Sequence, residues 1–168
     1  MYPDLREHTC CFTGHRAIAP IHGERLSGII ERHIRELVAG GVYRFVTGGA
    51  LGFDTMAAKA VIKMRENNER ISLIVISPYA GQPDTWSDND RFEYERIKNA
   101  ADDFICLEAG YSKGCMRRRN HAMVDMSSVC ISYLLYDKSG TSQTTDYAIQ
   151  SGLKIISLID ELPCEELG

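Results

Sequence analysis

The chain has 168 residues, of which 44% are hydrophobic and 25% charged, and its net charge at pH 7 is −4. The length fits one domain covering residues 1–168, and the acidic balance argues against a nucleic-acid partner, which normally meets a basic surface. No stretch approaches the roughly 18 apolar residues of a membrane span, and the first residues lack the pattern of a secretion signal. We therefore expect a cytoplasmic protein with no membrane partner.

The first predicted strand runs from Thr9 to Gly14 and continues into His15 and Arg16. Residues that directly follow a strand of a parallel sheet lie at the edge where ligands bind, so Gly14, His15 and Arg16 are candidate ligand-binding residues. His15 could act as an acid or a base, since histidine titrates near neutral pH. The alternative is that it only hydrogen-bonds backbone or ligand.

The second predicted strand, residues 43–48, leads through three glycines into a helix. Gly48, Gly49 and Gly52 could let a phosphate approach the backbone N–H groups at the helix start. The spacing G-G-x-x-G-x-D matches neither the dinucleotide fingerprint nor the P-loop, and a tight strand-to-helix turn is the alternative interpretation. Asp54 is interpreted as the N-cap of this helix, as an acceptor for ribose hydroxyls, or as both.

A third strand, residues 71–77, is almost unbroken in apolar residues, as strands buried on both faces are. The polar segment from Pro78 to Asp90 that follows is too long for a simple connection and is a candidate functional loop. Tyr79 and Trp86 in this segment could stack on a nucleobase. Trp86 could equally pack as a lid on the edge of the sheet.

Three consecutive arginines, Arg117 to Arg119, lie in a predicted helix after the fourth strand. Successive helical positions point in different directions, so we expect only Arg119 to reach the strand ends. Its planar guanidinium could pair with a phosphate there, and Asn120 could hydrogen-bond a base or a sugar. A solvated helix face is the alternative interpretation.

The fifth predicted strand, residues 129–136, is followed by a second loop that opens a helix. Gly140 provides the turn, and Thr141 and Ser142 offer hydroxyl groups beside free helix N–H groups. This combination is typical of a second phosphate cradle, although a capped helix start is the alternative. The chain ends with a strand over residues 154–159 and an acidic tail that we expect to fray.

Strands and helices thus alternate along the chain; the further predicted strand covers residues 103–108, and the helices cover about 26–38, 56–64, 91–101, 116–126 and 142–151. This alternation predicts an α/β fold, a single Rossmann-like doubly wound domain with a mostly parallel sheet of about six strands flanked by helices. The six cysteines form no C-x-x-C pair, so we expect free thiols, no metal site and no cofactor.

Four blocks of the sequence, CCFTGHR, FVTGGALGFDTMAAKAV, RRRNHAMVDMSS and SGTSQTTDYAIQSG, together resemble the SLOG superfamily, in particular its YpsA/YoqJ branch of small bacterial and prophage proteins. The second block also resembles the glycine-rich block of DprA proteins, and the last two resemble the LOG phosphoribohydrolases. The resemblance implies a Rossmann-like fold that holds a nucleotide-related, ADP-ribose-like ligand over its glycine loops.

The LOG enzymes carry the motifs R-K-x-x-M and P-G-G-x-G-T-x-x-E. Arg119 and Met123 match the first motif, with Asn120 in the place of the lysine, and Gly140 and Thr141 match the second. The catalytic glutamate of the second motif is replaced by Thr144. Hydrolysis of an N-glycosidic bond generally needs such a carboxylate, so these departures argue against the LOG reaction.

The sequence therefore predicts a protein that binds a nucleotide or nucleotide-derived ligand as a sensor, regulator or sequestering protein, without a complete catalytic set. The first alternative is a nucleotide phosphoribohydrolase whose carboxylate is Asp54, Asp125 or Asp146. The second is a protein-interaction module with a vestigial pocket. A homodimer is expected by analogy with related folds.

Overall fold

The computed structural model describes residues 4–164. Six parallel strands form one sheet in the order β4-β3-β2-β1-β5-β6, which confirms the predicted α/β Rossmann-like fold. The strands are β1 (Thr9–Gly14), β2 (Arg44–Thr47), β3 (Ser72–Ser77), β4 (Asp103–Cys106), β5 (Val129–Tyr133) and β6 (Lys154–Ser157). The predicted fraying of the tail concerns residues 165–168, which lie outside the described residues.

Five α-helices connect these strands: α1 (Gly23–Ala39), α2 (Phe53–Arg65), α3 (Asp88–Ala100), α4 (Cys115–Asp125) and α5 (Gly140–Gln150). Helix α3 begins three residues before the predicted Arg91 because Ser87 caps it, its Oγ accepting a bond from the Asp90 N–H at 3.2 Å. Helix α5 begins at Gly140 for the same reason, with Ser139 as its cap. Strand β5 ends at Tyr133, and the predicted last residues of that strand belong to the turn before α5.

The core has two layers because successive strand residues point to opposite faces of the sheet. Phe12 and Phe45 pack with α1, α2 and α3 on one face, and Cys11 and Val46 pack with α4 and α5 on the other. Fully burying a phenylalanine or valine side chain contributes roughly 1.5–3 kcal/mol relative to leaving it exposed. The two layers hold the strand ends in fixed positions.

The order of the strands reverses between β1 and β5. The chain runs outward from β1 through β2 and β3 to β4, and then returns to place β5 on the other side of β1. The connections after β1 and β5 therefore diverge to opposite faces of the sheet, which opens a crevice at their carboxyl ends. In open α/β sheets this is the position where ligands bind.

Among residues 4–164, none of the helices has both the length and the apolar composition needed to cross a bilayer. The same residues include all the cysteines, and each is a free thiol.

Candidate functional site

A cavity of about 360 Å³ occupies the crevice between the ends of β1 and β5, and we call it the switch-point cavity. Its walls come from the segment after β1, the start of α2, one face of α4 and the start of α5. Of the predicted ligand-binding residues it brings together Gly14, His15, Arg16, Asp54, Arg119, Asn120, Gly140 and Thr141. These residues come from distant parts of the chain and meet only in the fold.

Arg119 is the arginine of α4 that turns inward, as its spacing predicted, and only 5% of it is exposed. Its Nη1 donates to the carbonyl oxygen of Gly48, and its Nε donates to Asn120 Oδ1 at 2.8 Å. Burial lowers the pKa of its guanidinium, and the nearby Asp54 opposes this shift. Among residues 4–164 Nη2 donates no hydrogen bond, so a charged donor is left over.

The other two arginines of the run are exposed. Arg118 forms an ion pair with Glu108 at 3.0 Å on the surface, and Arg117 lines a neighbouring cleft.

The glycine turn after β2, residues 48–52, is filled by the protein's own atoms. A Cβ on Gly48 would lie 2.5 Å from Arg119 Nη1, and a Cβ on Gly52, whose φ is +77°, would overlap the carbonyl oxygen of Arg16. Gly48, Gly49 and Gly52 do not line the switch-point cavity. The glycines thus allow close contact between two segments of the chain.

Asp54 lies in the first turn of α2, while Gly52 occupies the N-cap position. The interpretation of Asp54 as the helix cap is therefore wrong. Its Oδ2 instead accepts a bond from the Ala50 N–H at 3.1 Å, so this N–H group of the glycine turn is not available to a ligand. Asp54 is 7% exposed, and burial raises the pKa of its carboxyl, while Arg119 opposes this shift.

The start of α5 is arranged differently. Ser139 and Ser142 form a capping box, each side chain bonding the other residue's backbone N–H at 3.0 and 2.9 Å. In the described part of the chain, no group accepts a hydrogen bond from the backbone N–H groups of Gly140 and Thr141. A Cβ on Gly140 would meet no atom within 4 Å, so the helix start is open to the cavity.

His15 is 5% exposed and connects the two turns. Its ring Nε2 accepts a bond from the Leu135 N–H at 2.9 Å, and its carbonyl oxygen accepts one from the Phe53 N–H at 3.1 Å. Burial lowers the pKa of the imidazole. Because Nε2 is an acceptor here, the neutral ring carries its proton on Nδ1, and the described residues offer Nδ1 no acceptor.

Tyr136 was not singled out from the sequence, yet its ring stacks on His15 with centroids 4.1 Å apart and forms part of the cavity wall. Its position in the turn directly after β5 was the available signal.

Several predicted residues lie away from the cavity. The Tyr79 ring packs edge-on against Tyr111, and Trp86 packs edge-on against Tyr94, on the other side of the glycine turn. Ser142 is used by the capping box. Asp125 is exposed at the end of α4 and accepts a bond from Tyr147 Oη at 2.6 Å, and Asp146 is exposed on α5.

The charges that line the cavity are Arg16, Arg119 and Asp54, which leaves one net positive charge beside the neutral His15. Such a cavity favours an anion. In the described ranges, no group of three or more His, Cys, Asp or Glu residues is placed to hold a metal ion.

Comparison with known proteins gives a family and a set of relatives. A model described as the YspA SLOG family (YpsA) matches residues 21–155. The SPbeta prophage-derived protein YoqJ of Bacillus subtilis is 32% identical over 118 residues, which cover 63% of this chain and 69% of YoqJ. The UPF0398 protein BH1768 of Halalkalibacterium halodurans is 31% identical over 119 residues, 70% of this chain and 62% of that protein.

Solved structures with a similar fold include DNA processing protein A from Helicobacter pylori, a protein that binds single-stranded DNA. Its TM-score is 0.65 at 21% identity, covering 90% of this chain and 65% of that chain. DprA from Streptococcus pneumoniae has a TM-score of 0.52 at 14% identity, covering 94% and 62%. At these identities the likeness concerns the fold alone. The chain spans about two thirds of the length of these proteins.

Proposed function

The chain belongs to the YspA SLOG family, and we propose that it binds a nucleotide or nucleotide-derived ligand in the switch-point cavity, as a sensor, a regulator or a sequestering protein. One observation carries the proposal. The buried Arg119, with its unused Nη2, lines the same cavity as the open start of α5. Two independent sources of positive potential therefore face one space.

The phosphate of the ligand is assigned to the α5 side of this cavity. Backbone N–H groups at a helix start together with the helix dipole stabilise an anion, and Gly140 and Thr141 supply such groups. A guanidinium adds charge-assisted hydrogen bonds, which are about twice as strong as neutral ones. The carboxylate of Asp54 would repel a phosphate, so the anion belongs on the side away from the glycine turn.

The nucleoside is assigned to the remainder of the cavity. Asp54 offers a buried carboxylate that can accept hydrogen bonds from ribose hydroxyls, and His15 offers the Nδ1–H donor that has no acceptor among the described residues. Tyr136 is 60% exposed, and the face of its ring that does not stack on His15 can cover a base. A ligand that accepts from this Nδ1–H group gains a hydrogen bond that the protein itself does not make.

Isothermal titration calorimetry with adenosine, the four common nucleoside monophosphates and ADP-ribose tests the proposal. We expect at least one phosphorylated compound to bind, and adenosine to bind about tenfold more weakly than AMP if adenine is the base. No binding of any of these compounds at about 1 mM, a ΔG of only about −4 kcal/mol, would contradict it.

The matched variants are Arg119→Lys and Arg118→Lys, which make the same change on adjacent residues of α4. The first replaces the planar fork of a buried guanidinium and should weaken nucleotide binding, since lysine cannot reproduce its geometry. The second changes a surface ion pair outside the cavity and should leave affinity unchanged. Equal effects of the two variants would count against a binding role for Arg119.

Hydrolysis of an N-glycosidic bond is a second candidate, favoured by one observation. Of the three candidate carboxylates, Asp54 alone lies in the cavity, and burial raises its pKa, as is common for catalytic acids. Chromatography of base released from nucleoside monophosphates tests this activity. Release by the wild type that Asp54→Asn abolishes would establish an enzyme, whereas binding without release would favour the sensor.

A homodimer, a cytoplasmic location and the lack of a nucleic-acid partner stay predictions. Light scattering coupled to size-exclusion chromatography measures the first, and a filter-binding titration with single-stranded DNA measures the last.

A further inference from the structure

A second cavity, of about 420 Å³, lies between the segment before α1, the turn after β5 and the segment after β6, and we call it the apolar pocket. Tyr136 is the one lining residue that it shares with the switch-point cavity. Ligand pockets in proteins usually measure roughly 300–1,000 Å³. The apolar pocket is therefore a separate space that is large enough for a small molecule.

The side chains that line the apolar pocket are mostly hydrophobic. Leu135, Ile159 and Pro163 present only carbon atoms, and none of the described residues that line it is Asp, Glu, Lys or Arg. Leu135 and Tyr136 are also exposed large hydrophobic residues, and Ile21, next to a lining residue in the turn before α1, is a third. Apolar side chains that are exposed together, rather than singly, mark binding sites.

His22 is the residue of the lining that carries ring nitrogens, and both of them are engaged. Its Nε2 donates to the carbonyl oxygen of Pro163 at 2.8 Å, since a carbonyl oxygen can only accept, and its Nδ1 bonds to Tyr133 Oη at 2.8 Å. The same Oη accepts a bond from the Ala19 N–H at 3.1 Å. A ligand in the pocket is therefore not recognised through His22.

Backbone groups of the lining are paired in the same way. The carbonyl oxygen of Ala19 accepts a bond from the His22 N–H at 2.9 Å, and the Leu135 N–H donates to His15 Nε2 at 2.9 Å. A polar ligand would lose its hydration here without gaining hydrogen bonds in return, whereas an apolar ligand has no such cost. The same bonds hold the walls in place, which reduces the entropy lost on binding.

The two larger or comparable cavities are charged. The groove of about 770 Å³ between α1 and α2 contains the ion pairs of Lys59 with Glu93 at 3.2 Å and of Lys63 with Glu31 at 3.0 Å. The switch-point cavity is lined by two arginines and an aspartate. A neutral apolar ligand therefore prefers the apolar pocket to either of them.

We propose that the apolar pocket is a binding site for a small, neutral and largely apolar molecule, such as a fused aromatic ring system. Its volume, its uncharged lining and the pairing of its histidine and backbone groups support this class of ligand. A protein partner normally covers about 800 Å² of each surface, whereas this pocket is a concave space between three segments. The inference does not depend on the proposed function, because it concerns a different cavity.

Disulfide exchange on Cys164, which lines the pocket, tests the inference in the unmodified protein. Cys106 is the matched control, because it and Cys164 are the exposed thiols among residues 4–164. The protein is equilibrated, under mild reductant, with the mixed disulfide of cysteamine and naphthylethanethiol. A cysteine thiolate attacks one sulfur of this reagent, forms the new S–S bond and releases the other thiolate.

Peptide mass spectrometry then gives the ratio of naphthylethyl to cysteamine adducts at each cysteine, a ratio in which the reactivity of the thiol itself cancels. We expect this ratio to be at least about tenfold higher at Cys164 than at Cys106, because the apolar adduct is held in the pocket. Equal ratios at the two cysteines would overturn the inference.

A fluorescence titration with the neutral probe aminoanthracene is the second measurement. Ala19→Phe places a ring in the apolar pocket and should weaken saturable binding at least about tenfold. Ala17→Phe adds the same ring two residues away, in the switch-point cavity, and should leave the affinity unchanged.

Three outcomes of the titration would overturn the inference. They are the lack of saturable binding to the wild type, equal weakening by the two variants, and weakening by Ala17→Phe alone, which would place the probe in the switch-point cavity. Light scattering adds a fourth. If the wild type is a dimer and Ala19→Phe a monomer, a second copy of the chain covers the pocket and the inference fails.

Discussion

The two glycine-containing turns at the carboxyl edge of the sheet occupy similar positions between a strand and a helix, but their structures differ. Each follows a parallel strand and opens a helix, and each was predicted to hold a phosphate. The turn after β2 is closed by Arg119, by the backbone of Arg16 and by Asp54, whereas the turn after β5 leaves Gly140 open. A glycine shows that something comes close to the backbone, and that something can be the protein itself.

The two turns also differ in which residues adopt positive φ angles. The closed turn places its positive φ angles at Gly49 and Gly52, where they carry little cost, but the open turn places one at Lys138, whose φ is +57°. For a residue other than glycine, that conformation costs roughly 1–2 kcal/mol of conformational energy. Such strain concentrates at functional sites, which agrees with the assignment of the anion to the open turn.

Gly52→Ala should have the largest effect. The new Cβ would overlap the Arg16 carbonyl oxygen and would require an unfavourable positive φ, so we expect a loss of stability on the order of 3 kcal/mol. Urea unfolding measures it. Gly28→Ala in α1 is the control, because no atom lies within 4 Å of a Cβ there and a helical alanine is favoured by about 0.5–1 kcal/mol. A loss below about 1 kcal/mol for Gly52→Ala would show that the turn is not closed as described.

Arg119→Met should have the next largest effect on stability. It removes the hydrogen bond to Gly48 and leaves that buried carbonyl without its donor, which costs about 1–3 kcal/mol. Arg118→Met removes a surface ion pair and should change stability by at most about 1 kcal/mol. If the two variants unfold at the same urea concentration, Arg119 does not support the glycine turn.

The sequence predicted the elements of this site better than it predicted their contacts. Helical periodicity is a local property, so the sequence predicted that the three arginines of the run point in different directions, and Arg119 is the one that the structure buries. The bond from Arg119 to Gly48 joins residues 71 positions apart, and the bond from Leu135 to His15 joins residues 120 positions apart. No local pattern encodes which side chain fills the space beside a glycine, so the closed and the open turn could not be told apart from the sequence.

Gly140→Ala should separate binding from stability. The first helical position tolerates alanine, and a Cβ there meets no atom within 4 Å, so we expect stability to be unchanged or higher by about 0.4–1 kcal/mol. Because the methyl group would stand beside the backbone N–H groups that face the switch-point cavity, the affinity for a phosphorylated nucleotide should fall, by about tenfold if one charge-assisted bond is lost. An unchanged affinity would mean that the anion does not lie over this turn.

The smallest expected effect is a pH dependence carried by His15, the residue that bonds to both turns. Its pKa is lowered by burial, so in the window below the ordinary value of about 6.5 the unfolded chain binds more protons than the folded one, and stability falls as the pH falls. Protonation places a hydrogen on Nε2 and breaks the bond from Leu135, while the bond from Phe53 to the carbonyl oxygen is unaffected.

The measurement compares urea unfolding of the wild type and His15→Gln at pH 7.5 and at pH 5.5. The contributions of the other titrating groups are common to both proteins and cancel in the comparison. The wild type should lose more stability than the variant on acidification. Hydrogen exchange locates the loss, because the Leu135 amide at the open turn should lose protection before the Phe53 amide at the closed turn. Parallel pH profiles, or equal loss of protection at both amides, would show that His15 does not hold the two turns in different ways.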